Sequence, residues 1–374
     1  MEYYKTELEI IKKANRFRVR QVYDKNLIDL ASNDYLGLST NKELFQKAYE
    51  TVLKEQYLSP KASMLVNGYS NIHKKFEKKL CKYNQFEAGL VVGSGFLANI
   101  SLIESLIRKK DYLFIDEDYH ASGIMATKLV QGTVIPFKHN DIDDLISKIK
   151  KIKKHGTPNR MVIAIEGIYS MSGDIAPKMF DDIASKYNAI LLVDEAHSSG
   201  VIGENLLGWF DCHNIKPKSN HIKMGTLGKA YGSYGAYILA SANIISFLEN
   251  RAKPIIYSTA PSLFDIALAY ESLKYIRKNK KEISQKIKDY QSLVSEYLNI
   301  QTQSLIVPVV ISDNKKVIDI QKTLIEDGYL IGAIRQPTVK KAILRVIIKL
   351  DLEKNDIKDV CKKITNKMQF FSNN

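Results

Sequence analysis

The sequence predicts an α/β protein with a mostly parallel sheet in a large domain and a smaller α+β domain at the C-terminus. Short apolar, β-branched runs alternate with amphipathic helical stretches through the middle of the chain, which is the rhythm of βαβ units. That rhythm changes near Arg251-Ala-Lys-Pro254, where long helical stretches begin. A length of 374 residues, 45% of them hydrophobic and 26% charged, is typical of a two-domain globular protein.

The pattern places each element in chain order. Strands of the large domain are predicted at 89–92, 112–115, 134–137, 161–165, 189–193, 221–224 and 236–239. Helices between them are predicted at 97–107, 120–130, 142–152 and 180–187, with Asp141 and Asp181 in N-cap positions. In the small domain we predict helices at 263–280, 283–298 and 317–327, strands at 306–311, 329–331 and 343–350, and a last helix after Asp351. We expect an N-terminal segment over 1–35, a large domain over 36–250 and a small domain over 251–374.

The formal net charge of +14 would suit a protein that binds nucleic acid. The lysines are instead scattered over predicted helix surfaces and interspersed with acidic residues. We therefore expect no nucleic-acid partner.

The cysteines and the apolar runs argue against a disulfide-linked, metal-binding, membrane-spanning or secreted protein. Cys81, Cys212 and Cys361 are far apart and form no Cys-x-x-Cys or Cys/His cluster, so we expect free thiols and no metal site. No apolar run approaches the ~20 residues that a membrane-spanning helix needs. The first residues lack the apolar core of a secretory signal. We expect a cytoplasmic protein without a membrane partner.

The first chemical motif is Gly225-Thr-Leu-Gly-Lys-Ala-Tyr-Gly232, which places Lys229 in a glycine- and hydroxyl-rich loop after a predicted strand. The phosphate-loop pattern Gly-x-x-x-x-Gly-Lys-Ser/Thr does not occur in the sequence. A lysine near phosphate-binding hydroxyls is what a Schiff-base cofactor requires, because the amine must lie close to a bound aldehyde. The alternative is a turn with an exposed lysine.

The second motif, Leu191-Leu-Val-Asp-Glu-Ala-His197, puts an acid at the carboxyl end of a predicted buried strand. Open α/β sheets bind ligands in the crevice outside those strand ends. A pyridine ring that acts as an electron sink needs a carboxylate to keep its nitrogen protonated. Asp194 suits that role, and His197 suits contact with a phenolic oxygen of the ring. A helix cap with a structural histidine is the alternative.

Two further motifs follow predicted strands. In Val91-Val-Gly-Ser-Gly-Phe-Leu-Ala-Asn99, the amides of Ser94, Gly95 and Phe96 open a helix, whose N-terminus is a natural phosphate seat. In Asp118-Tyr-His-Ala-Ser122, the imidazole of His120 could stack on a cofactor ring. A tight connection and a solvent-facing histidine are the respective alternatives.

The four motifs together are far more specific than any one of them. From about residue 15 to 350 the chain resembles the α-oxoamine synthase family, which has the aspartate-aminotransferase-like fold (fold type I) of pyridoxal-phosphate enzymes. The resemblance also rests on the segments Ser32-Asn-Asp-Tyr-Leu-Gly-Leu38, Gly68-Tyr-Ser-Asn-Ile-His73, Phe137-Lys-His-Asn-Asp141, Glu166-Gly-Ile-Tyr-Ser-Met-Ser-Gly-Asp174 and Ile256-Tyr-Ser-Thr259.

The resemblance implies the cofactor pyridoxal 5'-phosphate and a role for each catalytic residue. Lys229 would hold the cofactor covalently and move the substrate α-proton. Asp194 would pair with the pyridinium nitrogen, His197 with the phenolic oxygen, and His120 would stack on the ring. The other implied cofactor-binding residues are Ser94, Gly95, Phe96, Thr226, Ser170 and, from a neighbouring subunit of a homodimer with shared active sites, Thr259.

The resemblance also implies substrate-binding residues and a reaction. Asn33, Arg18 and Arg345 would bind substrate, and Arg345 would grip the amino-acid carboxylate as a bidentate partner. The reaction would join an amino acid to an acyl thioester of coenzyme A or of an acyl-carrier protein, releasing CO2 and the free thiol.

The family divides by its substrates, which are alanine with a pimeloyl thioester, glycine with acetyl- or succinyl-CoA, or serine with a long acyl chain. Three segments favour the alanine-using branch of biotin biosynthesis: Val92-Gly-Ser-Gly-Phe96, Gly228-Lys-Ala-Tyr-Gly-Ser-Tyr-Gly-Ala236 and Ile256-Tyr-Ser-Thr-Ala260. The segment Lys61-Ala-Ser63 favours the branch that uses glycine and acetyl-CoA. The alanine reaction is our prediction, with the glycine reaction as its alternative.

Overall fold

The computed structural model describes residues 2–154, 156 and 158–372. They form two compact units. The first, called the sheet unit here, comprises Leu36–Ser170 and Asp174–Gln285. The second, called the terminal unit, comprises the described residues of Met1–Tyr35, Met171–Gly173 and Lys286–Asn374.

The described residues contain eleven strands and fourteen α-helices. The strands are β1 (Ile28–Leu30), β2 (Ala88–Val92), β3 (Tyr112–Asp116), β4 (Thr133–Phe137), β5 (Met161–Glu166), β6 (Ile190–Asp194), β7 (His221–Thr226), β8 (Ala236–Ala240), β9 (Ile306–Ser312), β10 (Tyr329–Ile334) and β11 (Ala342–Ile347). The helices are α1 (Glu2–Lys13), α2 (Lys42–Val52), α3 (Asn71–Asn84), α4 (Gly95–Leu106), α5 (Ala121–Ala126), α6 (Ile142–Lys154), α7 (Met179–Tyr187), α8 (Trp209–Cys212), α9 (Ala242–Arg251), α10 (Lys253–Ile256), α11 (Leu263–Lys278), α12 (Lys280–Leu298), α13 (Asn314–Glu326) and α14 (Lys354–Ser372).

The sheet unit is built on seven strands in the spatial order β2-β8-β7-β6-β5-β3-β4. Strand β8 runs antiparallel to both of its neighbours, and the pairs from β7 to β4 are parallel. Every residue of β5 is buried, which explains its continuous apolar run. All seven predicted strands are confirmed, and each of their ends lies within two residues of the prediction. The prediction of a mostly parallel sheet is therefore confirmed.

Helix α4 is central to the core of the sheet unit. It packs on β7 and β8, and Ala98, Leu102 and Ile103 on it are almost fully buried in one cluster with the sheet residues. Since α4 begins directly after the turn that follows β2, its N-terminus lies at an edge of the sheet. The polar side chains of Asn99, Ser101 and Ser105 on this helix are buried.

The terminal unit contains a four-stranded sheet in the order β1-β10-β11-β9. Strand β1 pairs parallel with β10, and the other two pairs are antiparallel. The predicted strand at 343–350 ends earlier, at Ile347, because the chain turns and Lys349 binds Asp29 at 3.2 Å and Asp351 at 3.6 Å. No element is predicted before residue 89, whereas the structure has β1 and α1–α3 there.

The two predicted helix caps have different outcomes. Asp141 is confirmed as a cap, since its Oδ1 accepts a hydrogen bond from the Asp144 amide at 2.8 Å. Asp181 is wrong as a cap, because α7 begins at Met179 and places Asp181 inside the first turn. Its carboxylate instead accepts from Lys218 Nζ at 2.8 Å and lies 2.9 Å from the His221 ring. These distant partners are invisible in the local pattern.

The expected domain boundary after residue 250 lies at the end of α9, inside the sheet unit. Helix α11, which follows it, packs on α2 and α3 of the same unit. The domain limits stay a prediction.

Among the described helices, none combines the length and the apolar character needed to cross a bilayer. The three cysteines are free thiols, as predicted.

Candidate active site

Two acids end neighbouring parallel strands at one edge of the sheet. Glu166 is the last residue of β5 and Asp194 the last of β6, and the strand register pairs them directly. Their exposed fractions are 1% and 3%. This is the carboxyl edge, where open α/β sheets bind their ligands.

The carboxylate of Asp194 is oriented by two N–H donors. The Ala196 amide donates to Oδ1 at 2.9 Å, and the side-chain amide of Asn99 donates to Oδ2 at 2.8 Å. A carboxylate has about four lone-pair positions, so Asp194 keeps the capacity to accept another hydrogen bond. The protonated nitrogen of a ligand ring is a donor from which the Asp194 carboxylate could accept that hydrogen bond.

Asn99 is a site residue that the sequence motifs did not predict. It lies on α4 with an exposed fraction of 1%. Besides Asp194, its amide contacts Tyr119 and Ser122, two further buried residues. The signal that could have indicated it is an asparagine inside a mostly apolar helical stretch.

Glu166 is a buried acid close to both Asp194 and Lys229. Burial and then the negative charge of Asp194 raise the pKa of Glu166 well above its usual value. Hydrogen bonds from the amides of Ser170 and His120 and the charge of Lys229 oppose that rise. Its second oxygen, Oε1, has no hydrogen-bond partner among the described residues. The site therefore favours the neutral form of Glu166, whose Oε1 is a buried hydrogen-bonding atom without a partner among the described residues.

The predicted phosphate seat has the expected construction. Ser94 caps α4, and its Oγ accepts a hydrogen bond from the Leu97 amide at 3.3 Å. The first backbone N–H groups of this twelve-residue helix have no partner within the helix and can bind an anion. Gly95 lies against Thr226, since a Cβ on it would be 2.5 Å from Thr226 Cγ2. Thr226 in turn donates to the Ala196 carbonyl at 3.3 Å. The seat, Thr226 and the segment after Asp194 are thus brought together.

The remaining predicted catalytic residues lie on loops of the same unit. Lys229 is half-buried in the turn after β7, where its carbonyl accepts from the Gly232 amide at 2.9 Å. His197 is buried in the segment after β6. His120 precedes α5, and its Nδ1 lies 2.7 Å from Ser122 Oγ.

Thr259, by contrast, is exposed on the loop after α10, where Ala260 donates to the Ala62 carbonyl at 3.0 Å. Its predicted contact with a neighbouring subunit stays a prediction.

The predicted substrate-binding residues belong to the terminal unit. Arg345 is buried on β11 and donates from Nη1 to Asn33 Oδ1 at 3.0 Å. Arg18 lies exposed in the irregular segment after α1. Asn33 and Arg345 are therefore brought together.

These residues fit pyridoxal phosphate on the structure's own terms. A helix N-terminus with Thr226 suits the phosphate, the oriented Asp194 carboxylate suits a pyridinium N–H, and Lys229 suits the aldehyde. The unpartnered Glu166 Oε1 is a buried polar atom that a ligand would satisfy. Fold and site define a pyridoxal-phosphate enzyme of the aminotransferase-like class.

Comparison with known proteins narrows this class. The sequence matches the family model of aminotransferase class I and II over residues 25–364. It is 44% identical over 370 residues to the 8-amino-7-oxononanoate synthase of Helicobacter pylori strain J99, covering 99% of this chain and 97% of that protein. It is 36% identical to a putative 8-amino-7-oxononanoate synthase of Aquifex aeolicus, with 96% of each chain covered. The chain belongs to the aminotransferase class I and II family and, within it, to the α-oxoamine synthases.

Solved structures agree with this assignment. The 8-amino-7-oxononanoate synthase of Francisella tularensis superposes with a TM-score of 0.78 at 25% identity, covering 93% of this chain and 100% of that one. A serine palmitoyltransferase of S. paucimobilis, solved with bound PLP and myriocin, gives a TM-score of 0.88 at 21% identity over 98% of this chain and 97% of that one. The predicted family, fold class and cofactor are confirmed.

Proposed function

We propose that the protein condenses L-alanine with a pimeloyl thioester, of coenzyme A or of an acyl-carrier protein, in biotin biosynthesis. The products are 8-amino-7-oxononanoate, CO2 and the free thiol. The observation that carries the proposal is the 44% identity, over nearly the whole of both chains, to an 8-amino-7-oxononanoate synthase. The contacts described above for Asp194, Ser94, Thr226 and Arg345 support the roles proposed for those residues.

Pyridoxal phosphate, when bound, supplies an electron sink for the negative charge that develops on the substrate α-carbon. In the proposal, the amides of Ser94, Gly95 and Phe96 and the hydroxyl of Thr226 hold its phosphate. Asp194 would accept the hydrogen bond of the ring N–H and keep that nitrogen protonated. His120 would stack on the ring, and His197 would donate to the phenolic oxygen. Ser170, whose amide donates to Glu166 at 3.1 Å, is proposed as a further cofactor-binding residue.

Lys229 is the proposed proton carrier. Its Nζ would hold the cofactor through the aldehyde and, with the amino acid bound, would remove the α-proton. After carbon–carbon bond formation and loss of CO2, the same amine would return a proton to the α-carbon. A positioned amine of this kind typically contributes about 10²–10⁴-fold to the rate.

Arg345 and Asn33 are proposed to bind the amino-acid carboxylate. Asn33 Oδ1 accepts from Arg345 Nη1 at 3.0 Å and from the Tyr35 hydroxyl at 3.3 Å, so the amide nitrogen of Asn33 points the other way. Both side chains carry N–H groups, the donors that a carboxylate accepts. Arg18 is proposed as a further contact to the substrate.

We also propose a homodimer in which Thr259 completes the phosphate site of the partner. Its support is the number of large apolar side chains that the sheet unit exposes on loops, on short helices and at the start of α4. These include Tyr57, Leu58, Leu65, Val66, Phe96, Met125, Tyr234 and Tyr257. Light scattering that gave the mass of a single chain would contradict the dimer. The cytoplasmic location stays a prediction.

The deciding experiment is release of free thiol by the purified, cofactor-loaded protein. Alanine, glycine and serine are each combined with pimeloyl-, acetyl-, succinyl- and palmitoyl-CoA. Release confined to alanine with pimeloyl-CoA supports the proposal, and release with glycine and acetyl-CoA supports the alternative, a glycine C-acetyltransferase, which Lys61-Ala-Ser63 favours. If no pair reacts, pimeloyl-acyl-carrier protein is tested next, and failure there as well would overturn the proposal.

A further inference from the structure

The side chain of Asn99 is surrounded by partners that use each of its polar atoms. Its Nδ2 donates one hydrogen to Asp194 Oδ2 and the other to Ser122 Oγ, both at 2.8 Å. Its Oδ1 accepts from the Tyr119 hydroxyl at 2.8 Å. All four residues are at most 3% exposed. Breaking any of these bonds would leave a buried polar group unsatisfied.

The partners also determine which way the amide points. If oxygen and nitrogen of Asn99 exchanged places, Oδ1 would face the carboxylate of Asp194, and two acceptors would be in contact. The Tyr119 hydroxyl secures the same orientation from the other side, since burial raises its pKa well above the usual value and keeps it a donor. Asn99 therefore donates to Asp194 in the only arrangement that satisfies this cluster.

A second branch of the cluster reaches His120. The Ser122 amide donates to His120 Nδ1 at 3.3 Å, so that ring nitrogen carries a lone pair. Ser122 Oγ accepts from Asn99 and lies 2.7 Å from the same Nδ1, to which its hydroxyl hydrogen is directed. The two contacts of Ser122 with Nδ1 thus hold the His120 ring in one orientation.

We propose that Asn99 is a positioning residue for the cofactor ring, holding the Asp194 carboxylate directly and the His120 imidazole through Ser122. The inference rests on the roles of Asp194 and His120 in the proposed function. Through this one side-chain amide on α4, the two proposed ring contacts, Asp194 and His120, are both held in position. Without it, Asp194 keeps a single orienting donor, the Ala196 amide.

The test compares the cofactor affinities of the full-length Asn99→Asp and Asn99→Leu variants with that of the unchanged protein. Each protein is equilibrated against a series of pyridoxal phosphate concentrations at pH 6 and pH 8, and occupancy is read from the visible absorption of the bound cofactor. The matched control is Ser101→Ala. Ser101 is a buried polar residue of the same helix whose hydroxyl donates only within α4, to the Leu97 carbonyl at 2.7 Å.

We expect Asn99→Leu to weaken cofactor binding about 10- to 100-fold at both pH values, since a hydrogen bond to a charged group is lost. Asn99→Asp should bind as weakly at pH 8, where two carboxylates would face each other. At pH 6 much of its affinity should return, because a proton shared by the pair restores a donor to Asp194. Ser101→Ala should bind within about twofold of the unchanged protein, because its local bond does not reach the site.

A purely structural role for Asn99 would give a loss that does not depend on pH in Asn99→Asp, and that result overturns the proposal. Unchanged affinity in either folded variant overturns it too. If Asn99→Leu does not fold, the nearly isosteric Asn99→Asp decides alone. Cofactor binding is read without substrates, so failure of the alanine reaction would leave the result intact. Wild-type affinity in Asp194→Asn, by contrast, would remove the role on which the inference rests.

Discussion

The carboxyl group of Glu166 lies beside that of Asp194 because the two residues are paired in the register of β5 and β6. Both are buried, and the amides of Ser170 and His120 donate to Glu166 while Asn99 and Ala196 donate to Asp194. Burial, and then the negative charge of Asp194, raise the pKa of Glu166 well above its usual value, so the site favours the neutral form of Glu166.

Replacing Glu166 by Gln should make the cofactor-free protein more stable at pH 8 than the unchanged protein. A carboxyl group whose pKa is raised on folding stabilises fully below its ordinary pKa, and this contribution falls as the pH rises above it. Glutamine mimics the neutral acid and does not titrate. Thermal unfolding between pH 4 and pH 8 measures the difference, which should be near zero at pH 4 and grow with pH. A difference that shrank as the pH rose would contradict a raised pKa.

Replacing Lys229 by Ala should lower thiol release at least ~10³-fold, because both the covalent attachment and the proton carrier are lost. Lys216→Ala, a lysine of the same unit outside the site, serves as the control and should retain normal turnover. Turnover by Lys229→Ala close to that of the control would refute the role of Lys229 as base.

Replacing Arg345 by Lys should raise the KM for alanine about tenfold or more, since lysine cannot form a bidentate pair with a carboxylate. Arg335→Lys is the matched control. Arg335 is a partly exposed arginine of the same unit that donates to the Asn15 carbonyl at 2.6 Å. Steady-state kinetics with varied alanine measures the effect. Equal KM values in both variants would exclude Arg345 from carboxylate binding.

His139 should stabilise the fold in a pH-dependent manner. Its ring lies 3.1 Å from Asp116 and 2.9 Å from Asp174. Burial lowers its pKa, but the hydrogen bonds and charges of the two aspartates outweigh burial and raise that pKa to about 10. A group whose pKa is raised on folding contributes fully below its unfolded value, so this stabilisation should fall from about pH 6.5 and be lost above about pH 10.

The measurement for His139 is urea unfolding of the His139→Gln variant and the unchanged protein at pH 6, 8 and 10. The free energy of unfolding should differ most at pH 6 and least at pH 10. A gap that stayed constant over this range would mean that the imidazole is not held in its charged form.

Replacing Lys223 by Met should lower the free energy of unfolding by about 3–5 kcal/mol, as expected when a buried charge loses its partner. Lys223 Nζ and Glu195 Oε1 are 3.3 Å apart, and both side chains are fully buried. Lys223 also donates to the Leu207 carbonyl. The control is Lys47→Met, which removes an exposed ion pair with Glu43 and should change stability little. Chemical denaturation that gave equal values for both variants would contradict the prediction.

Many of the strands and helices of this protein could be predicted from local sequence patterns. The seven strands of the sheet unit were visible as short apolar runs between turns, and the Gly-Ser-Gly turn before α4 marked a helix N-terminus. Helix ends were less predictable. Helix α5 ends at Ala126 and continues only as a 3-10 turn over Thr127–Leu129, whereas the prediction extended it to residue 130.

The sequence by itself determined the α/β fold, the family, the cofactor and the polar residues that follow successive strands. Each of these depends on short contiguous segments of sequence, which can be recognised without knowing the tertiary structure. Only the tertiary structure decided which distant groups meet. Asn99 donates to Asp194, which is 95 positions away in sequence. Asp181 accepts from Lys218 and does not cap its helix. The strand order β2-β8-β7-β6-β5-β3-β4 departs from chain order, so the partner of a buried polar group depends on neighbours that no local pattern specifies.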